Sequence, residues 1–225
     1  MKSKTTLLNM SERPIRVKSV NVQMSNDRIT TFLQRNKHFN VLMIQEPWMG
    51  TVATLRSDTD PVGVAQQGAP FNSMWDLHLP RHTPDQRCRA ITYTRKSLSG
   101  WYSVRNQLTH PLAHPDTTVI DIMDGEDPLI RLINVYNPPI PSPFPPTLSH
   151  KTWARENLKQ FTTHELDSSV PTVIAGDFNT HARQWSLPGA NLSSWASRLH
   201  DWFEDSGLSL LNPPSITTHR AREGS

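Results

Sequence analysis

The 225-residue chain has a single cysteine, Cys88. That excludes an internal disulfide framework and any zinc site built from several thiolates. It fits a reducing compartment without choosing between cytosol and nucleus. Long hydrophobic runs are missing too, and none approaches the ~20 apolar residues a spanning helix needs. The opening MKSKTTLLNMSERP has two lysines but no apolar core of signal-peptide length. Residues 1–13 are therefore expected to form a short flexible lead-in, and 14–225 one domain. Charge is also modest: 23 Lys and Arg against 20 Asp and Glu leave +3, which argues only weakly for a polyanionic partner. Walker-type loops, dinucleotide fingerprints, HExxH, GxSxG and internal repeats are all absent.

What is present is a globular balance, 36% hydrophobic and 19% charged, in a chain long enough to bury a substantial core. Short apolar runs read as strands: 15–22, 41–45, 88–95, 118–123, 129–136, 172–175 and 208–212. VLMIQ (41–45) and TVIA (172–175) are almost continuously apolar, as buried central strands are. Helices are predicted over 25–36, where Ser25 can cap, over 150–166, and over 191–205, ended by Gly207. The 19 prolines crowd between elements, most densely in NPPIPSPFPP (137–146). That stretch suits a stiff surface loop better than a polyproline ligand. Dispersed strands with few helices predict an α+β protein, two packed sheets with helices outside.

Polar residues recur where apolar strands end: Asn21 after VKSV, Glu46 after VLMIQ, Tyr136 and Asn137 closing LIRLINVY, Asp177 and Asn179 after TVIAG. Strand ends meeting along one edge would gather them around a cleft. A carboxylate at the end of a buried strand needs a partner. For Glu46 that is a hard divalent cation, which takes oxygen ligands, or else an Arg or a turn to cap. Asp177 and Asn179, two residues apart, suit proton handling and phosphate contact, and equally suit an Asx turn. His181 lies near in sequence. Arg87, Arg89, Arg95 and Lys96 flank one strand, either as phosphate contacts or as a solvated face.

The ordered set Asn21, QEPW (45–48), NVYNPP (134–139), GDFNTHARQW (176–185) and NPPSITTHR (212–220) resembles the endonuclease/exonuclease/phosphatase superfamily, with its DNase I-like fold. More narrowly, it is similar to the apurinic-type endonuclease domain of non-LTR (LINE-type) retrotransposons. The resemblance implies a four-layer α/β sandwich of two mainly antiparallel sheets flanked by helices. It also implies phosphodiester hydrolysis with Mg²⁺, or alternatively Mn²⁺, on double-stranded DNA. Carried over by position, Glu46 is the metal ligand and Asn21 helps build the metal and phosphate site. Tyr136 orients the scissile phosphate, and Asp177 and Asn179 handle the attacking water, the leaving oxygen and the phosphate. Thr218, with Thr217 as the competing register, contacts phosphate or supports the active-site loop.

Family members continue to a strand carrying an Asp and to a Ser-Asp-His motif whose His is general base or phosphate stabiliser. Here the sequence ends HRAREGS (219–225), and His219 has no Ser-Asp before it, so that role is not transferred. The expectation is a domain lacking its last strands, with an unpaired sheet edge and impaired nuclease activity. RNA or another phosphoester as substrate, and a noncatalytic nucleic-acid-binding relic, are the alternatives. The family's job implies a nuclear rather than cytoplasmic location, no membrane, and a reverse-transcriptase domain in the full polyprotein.

Overall fold

The structure is a computed structural model. It describes residues 4–8, 14–57, 60–83, 86–139, 162–182, 184–186 and 196–211. In chain order these form β1 (Lys4–Leu8), β2 (Ile15–Asn21), α1 (Asn26–Arg35), β3 (Val41–Gln45), β4 (Gly50–Ser57), β5 (Asp60–Gly68), β6 (Trp75–His78) and β7 (Ala90–Arg95). A 3₁₀ turn (Lys96–Gly100) leads to β8 (Ser103–Asn106), β9 (Thr117–Asp124), β10 (Asp127–Tyr136), β11 (Thr172–Asp177) and α2 (Ala196–Asp205).

Two mixed sheets result, one ordered β1-β2-β3-β7-β6 and the other β11-β10-β9-β8, with β4 and β5 as a separate hairpin. Strand β3 shows how its sequence is read twice, because successive side chains point to opposite faces. Leu42 and Ile44 pack with Ile29, Phe32 and Leu33 of α1. Val41 and Met43 point the other way and meet Ile120, Ile122 and Leu132 of the second sheet. On that sheet's far face Val119, Ile133 and Val135 pack against Leu199 and Trp202 of α2. The order is therefore helix, sheet, sheet, helix. Fully burying each such aliphatic side chain contributes about 1.5–3 kcal/mol.

Helix α1 starts where Ser25 Oγ accepts from the Arg28 amide at 3.3 Å. Helix α2 closes at Gly207, φ +68°, with Leu208 N–H donating to the Phe203 carbonyl at 2.8 Å. This left-handed cap needs a residue without Cβ strain.

Among the described residues each of the two mixed sheets contains one parallel pair, and these pairs position the site. β2 runs parallel to β3 with Asn21 opposite Gln45, and β10 runs parallel to β11 with Tyr136 opposite Asp177. Parallel neighbours end side by side, so four strand ends are delivered in two adjacent couples.

The structure departs from the sequence reading at several points. Lys4–Leu8, expected to be lead-in, pairs antiparallel with β2. Residues 208–211, expected to begin a strand, form none. Leu210 and Leu211 are exposed there, with no strand partner among the described residues. Of the helix expected over 150–166, residues 164–166 are not helical and 150–161 lie outside the described residues. The hairpin β4–β5 and the short strands β6 and β8 carry too weak a pattern to have been read.

Candidate active site

The Asn21 side-chain amide donates to Asp177 Oδ2 at 2.8 Å, joining the ends of β2 and β11. The Tyr136 hydroxyl donates to Glu46 Oε1 at 2.8 Å, joining the end of β10 to the residue after β3. Each bond crosses from one sheet to the other. Glu46, Asn21, Asp177 and Tyr136, spread over the chain, thus meet in pairs at one end of the sandwich.

Asn179 extends the group. Its backbone N–H donates to Asp177 Oδ1 at 3.1 Å, the Asx turn weighed from sequence. Its side-chain amide donates to the Asn137 carbonyl at 2.7 Å. The turn is thus part of the construction, since it holds Asp177 Oδ1 while Asn21 holds Oδ2.

Backbone conformation points to the same place. Among the described residues the non-glycine positions with positive φ are Gln23 (53°), Met24 (57°), Glu46 (47°) and Asn179 (46°). Two are site residues, and two lie two and three positions after Asn21. Such conformations cost about 1–3 kcal/mol each and persist where surroundings hold them. Here Met24 N–H donates to the Glu46 carbonyl at 2.7 Å, and Gln23 N–H to Asn21 Oδ1 at 2.8 Å.

A second layer was only partly visible in the sequence. Arg89 donates to Asp116 through both Nε and Nη2, at 2.5 and 2.6 Å. Its guanidinium carbon lies 5.6 Å from the centroid of the Tyr136 ring. The Asp116 carbonyl accepts from Tyr136 N–H at 2.8 Å, and the Arg89 carbonyl from Glu46 N–H at 2.9 Å. Glu46, Arg89, Asp116 and Tyr136 therefore close a ring of hydrogen bonds. No sequence signal marked Asp116, which sits in an ordinary-looking HPD turn. Burial raises the Tyr136 phenol well above its usual range, helped by its bond to Glu46 and the negative charges of Glu46 and Asp177. It is a neutral donor throughout the neutral pH range.

The donors fit a hard cation. Glu46 uses Oε1 toward Tyr136, leaving Oε2 without a protein partner among the described residues. Few protein oxygens with several retained waters is the coordination Mg²⁺ favours. Glu46 would hold the ion, with Asn21 and Asp177 beside it. The group of three potential ligands found among the described residues, His200, Asp201 and Glu204 on α2, is largely exposed and includes none of these residues. His181 is exposed with Nδ1 3.4 Å from Ser186 Oγ. Thr217, Thr218 and His219 lie outside the described residues.

Among solved structures, the chain is similar to the endonuclease domain of TRAS1, a telomere-specific non-LTR retrotransposon. The match has a TM-score of 0.58 and 15% identity, covering 91% of this chain and 76% of that one. At that identity the likeness is one of fold, and it is DNase I-like. No curated protein matches in sequence. The profile of the endonuclease/exonuclease/phosphatase family matches residues 19–222, which include every site residue named above. The chain belongs to the endonuclease/exonuclease/phosphatase family.

Proposed function

We propose that this chain is a divalent-metal-dependent phosphodiesterase domain that nicks double-stranded DNA. The observation that carries the reading is the pair of cross-sheet bonds, Asn21 to Asp177 and Tyr136 to Glu46. They bring two carboxylates, an amide and a phenol together where the strands end. Hydrolysis adds one water across a P–O bond: the water oxygen bonds to phosphorus, the ester oxygen leaves, and the water's proton must be accepted and returned. Asp177, oriented by Asn21 and Asn179, accepts that proton. Asn179 donates to a phosphate oxygen, and Tyr136 aligns both Glu46 and the phosphate. A bound Mg²⁺ or Mn²⁺ supplies charge neutralisation at the phosphate and the leaving oxygen.

DNA is favoured over RNA or another phosphoester by the likeness to the TRAS1 endonuclease domain. The same likeness extends the proposal to a nuclear target and to a reverse-transcriptase domain as partner. The test is nicking of supercoiled plasmid with Mg²⁺, with EDTA and with Glu46→Gln. Nicking that EDTA and the variant both abolish is the expected result. Retention of DNA without nicking would turn the reading to a noncatalytic binding module.

A further inference from the structure

We propose that Arg89 is a positioning residue that anchors a backbone phosphate of the bound strand beside the site, its fork held ready by Asp116 and by the Tyr136 ring. The inference rests on the phosphodiester reading. It starts from a charge imbalance. Glu46, Asp116 and Asp177 place three carboxylates at these strand ends, and the whole chain carries only +3. A polyanion approaching such a group of carboxylates needs a fixed local cation.

Arg89 is built for that task. Two of its nitrogens are committed to Asp116, while Nη1 has no partner among the described residues. Its side chain is 40% exposed although the Asp116 side chain is 3% exposed, so the pair presents its cationic end outward. A planar guanidinium fixed by a bidentate carboxylate and laid over an aromatic ring loses little entropy on binding phosphate. A simple structural pair would explain the buried Asp116. It would not explain why the exposed cation lies against Tyr136, whose hydroxyl is on Glu46. Arg87, exposed, donates to the carbonyl of Pro47, the residue after Glu46, at 3.4 Å. His114 Nδ1 accepts from the Asp116 backbone N–H at 3.3 Å, which fixes the turn that carries the carboxylate.

The test compares wild type with Arg89→Ala, Arg89→Lys and the double variant Arg89→Met/Asp116→Asn, which leaves no buried charge alone. Binding of a fluorescent DNA duplex is measured in Ca²⁺ across a salt series, alongside nicking kinetics in Mg²⁺ and thermal melts. Arg89→Ala and the double variant should weaken binding about tenfold and lower the salt slope by about one. KM should rise more than kcat falls. Arg89→Lys should restore the slope but not the KM, because an ammonium lacks the fork. Unchanged slope and KM with a lowered melting temperature would make Arg89 a structural partner of Asp116 only and overturn the proposal. A wild type that nicks DNA while its Arg89 variants bind normally sinks this proposal alone. A wild type that neither binds nor nicks sinks it together with the phosphodiester reading.

Discussion

Gln45 and Asn134 face each other between the two sheets, with the Gln45 amide donating to the Asn134 side-chain oxygen. The Asn134 amide donates in turn to the Ile44 and Ile91 carbonyls, at 3.2 and 2.8 Å, and Gln45 also reaches Ser19 Oγ at 3.1 Å. An apolar pair would fill that space without fixing how the sheets register. These amides hold β3 and β10 together one and two residues before the carboxylate Glu46 and the phenol Tyr136. Both are fully buried, so breaking the network strands polar groups away from water.

Asn134→Ala should therefore lower stability by about 2–4 kcal/mol, since it leaves the Gln45 amide unpaired and opens a cavity. Urea unfolding measures this. Nicking by the folded fraction should fall as well, because the sheets are no longer fixed beneath Glu46 and Tyr136. A variant as stable and as active as wild type would show that the network positions nothing.

Tyr136→Phe isolates the hydroxyl. The ring and its contact with Arg89 remain, while the 2.8 Å bond to Glu46 is lost. A single hydrogen bond of this kind contributes about 1 kcal/mol to stability, so the fold should survive. The turnover number for plasmid nicking should drop by roughly 10- to 1,000-fold, the range for removing a group that aligns reacting atoms. Unchanged turnover would remove Tyr136 from the proposed mechanism.

Much of this site was legible because strand ends announce themselves. A run such as VLMIQ has no face left for water, so the first charged residue after it, Glu46, must be at an edge. TVIAGDFN gives the same signal, and the structure joins both ends through Tyr136 and Asn21. Asp116 escaped because it follows no apolar run, and its importance depends on Arg89, 27 positions away. Gln45 and Asn134 carry no such signal, since polar contacts between sheets leave no periodic trace. β1 was missed for another reason. KTTLL is short and follows a basic N-terminus, and only pairing with β2 makes it a strand. LSLLN shows the converse, an apolar run with no described neighbour to pair with.

Stability should fall below about pH 6.5, the ordinary histidine range. His78, His110 and His114 are all held below it, burial being the first cause in each. The Arg131 charge adds to the effect at His110, and the Arg89 charge at His114, while Asp76, Asp121 and Asp116 oppose it at their respective histidines. With folded values depressed, the unfolded chain takes up protons first as pH falls, so unfolding gains. The contribution is complete above the unfolded value and lost below it. Urea midpoints from pH 8 to pH 5 should decline, and His78→Gln or His110→Gln should flatten the decline. At the alkaline end the signs reverse. Burial raises the Tyr93 and Tyr136 phenols and lifts the Cys88 thiol to about 11. The unfolded chain then loses protons first, from about pH 8.5 for the thiol and about pH 10 for the phenols.

Gly176 immediately precedes Asp177, and no other residue can occupy its place without moving the strand. A Cβ built there would lie 1.9 Å from the Val135 carbonyl oxygen, which is backbone of β10 and has no rotamer to yield. Relief requires β11 to separate from β10, which would carry Asp177 away from Asn21. Gly176→Ala should thus cost at least the upper end of the ~1–3 kcal/mol typical of overpacking. Its loss of nicking should exceed what Asp177→Asn alone produces if the whole turn is displaced. Gly125, at φ +62° in the β9–β10 turn with open space around it, is the control. Gly125→Asn should fold and nick nearly as wild type, because asparagine tolerates that conformation. If the two substitutions instead shift the thermal melt equally, close approach at Gly176 is not what sets the position of Asp177.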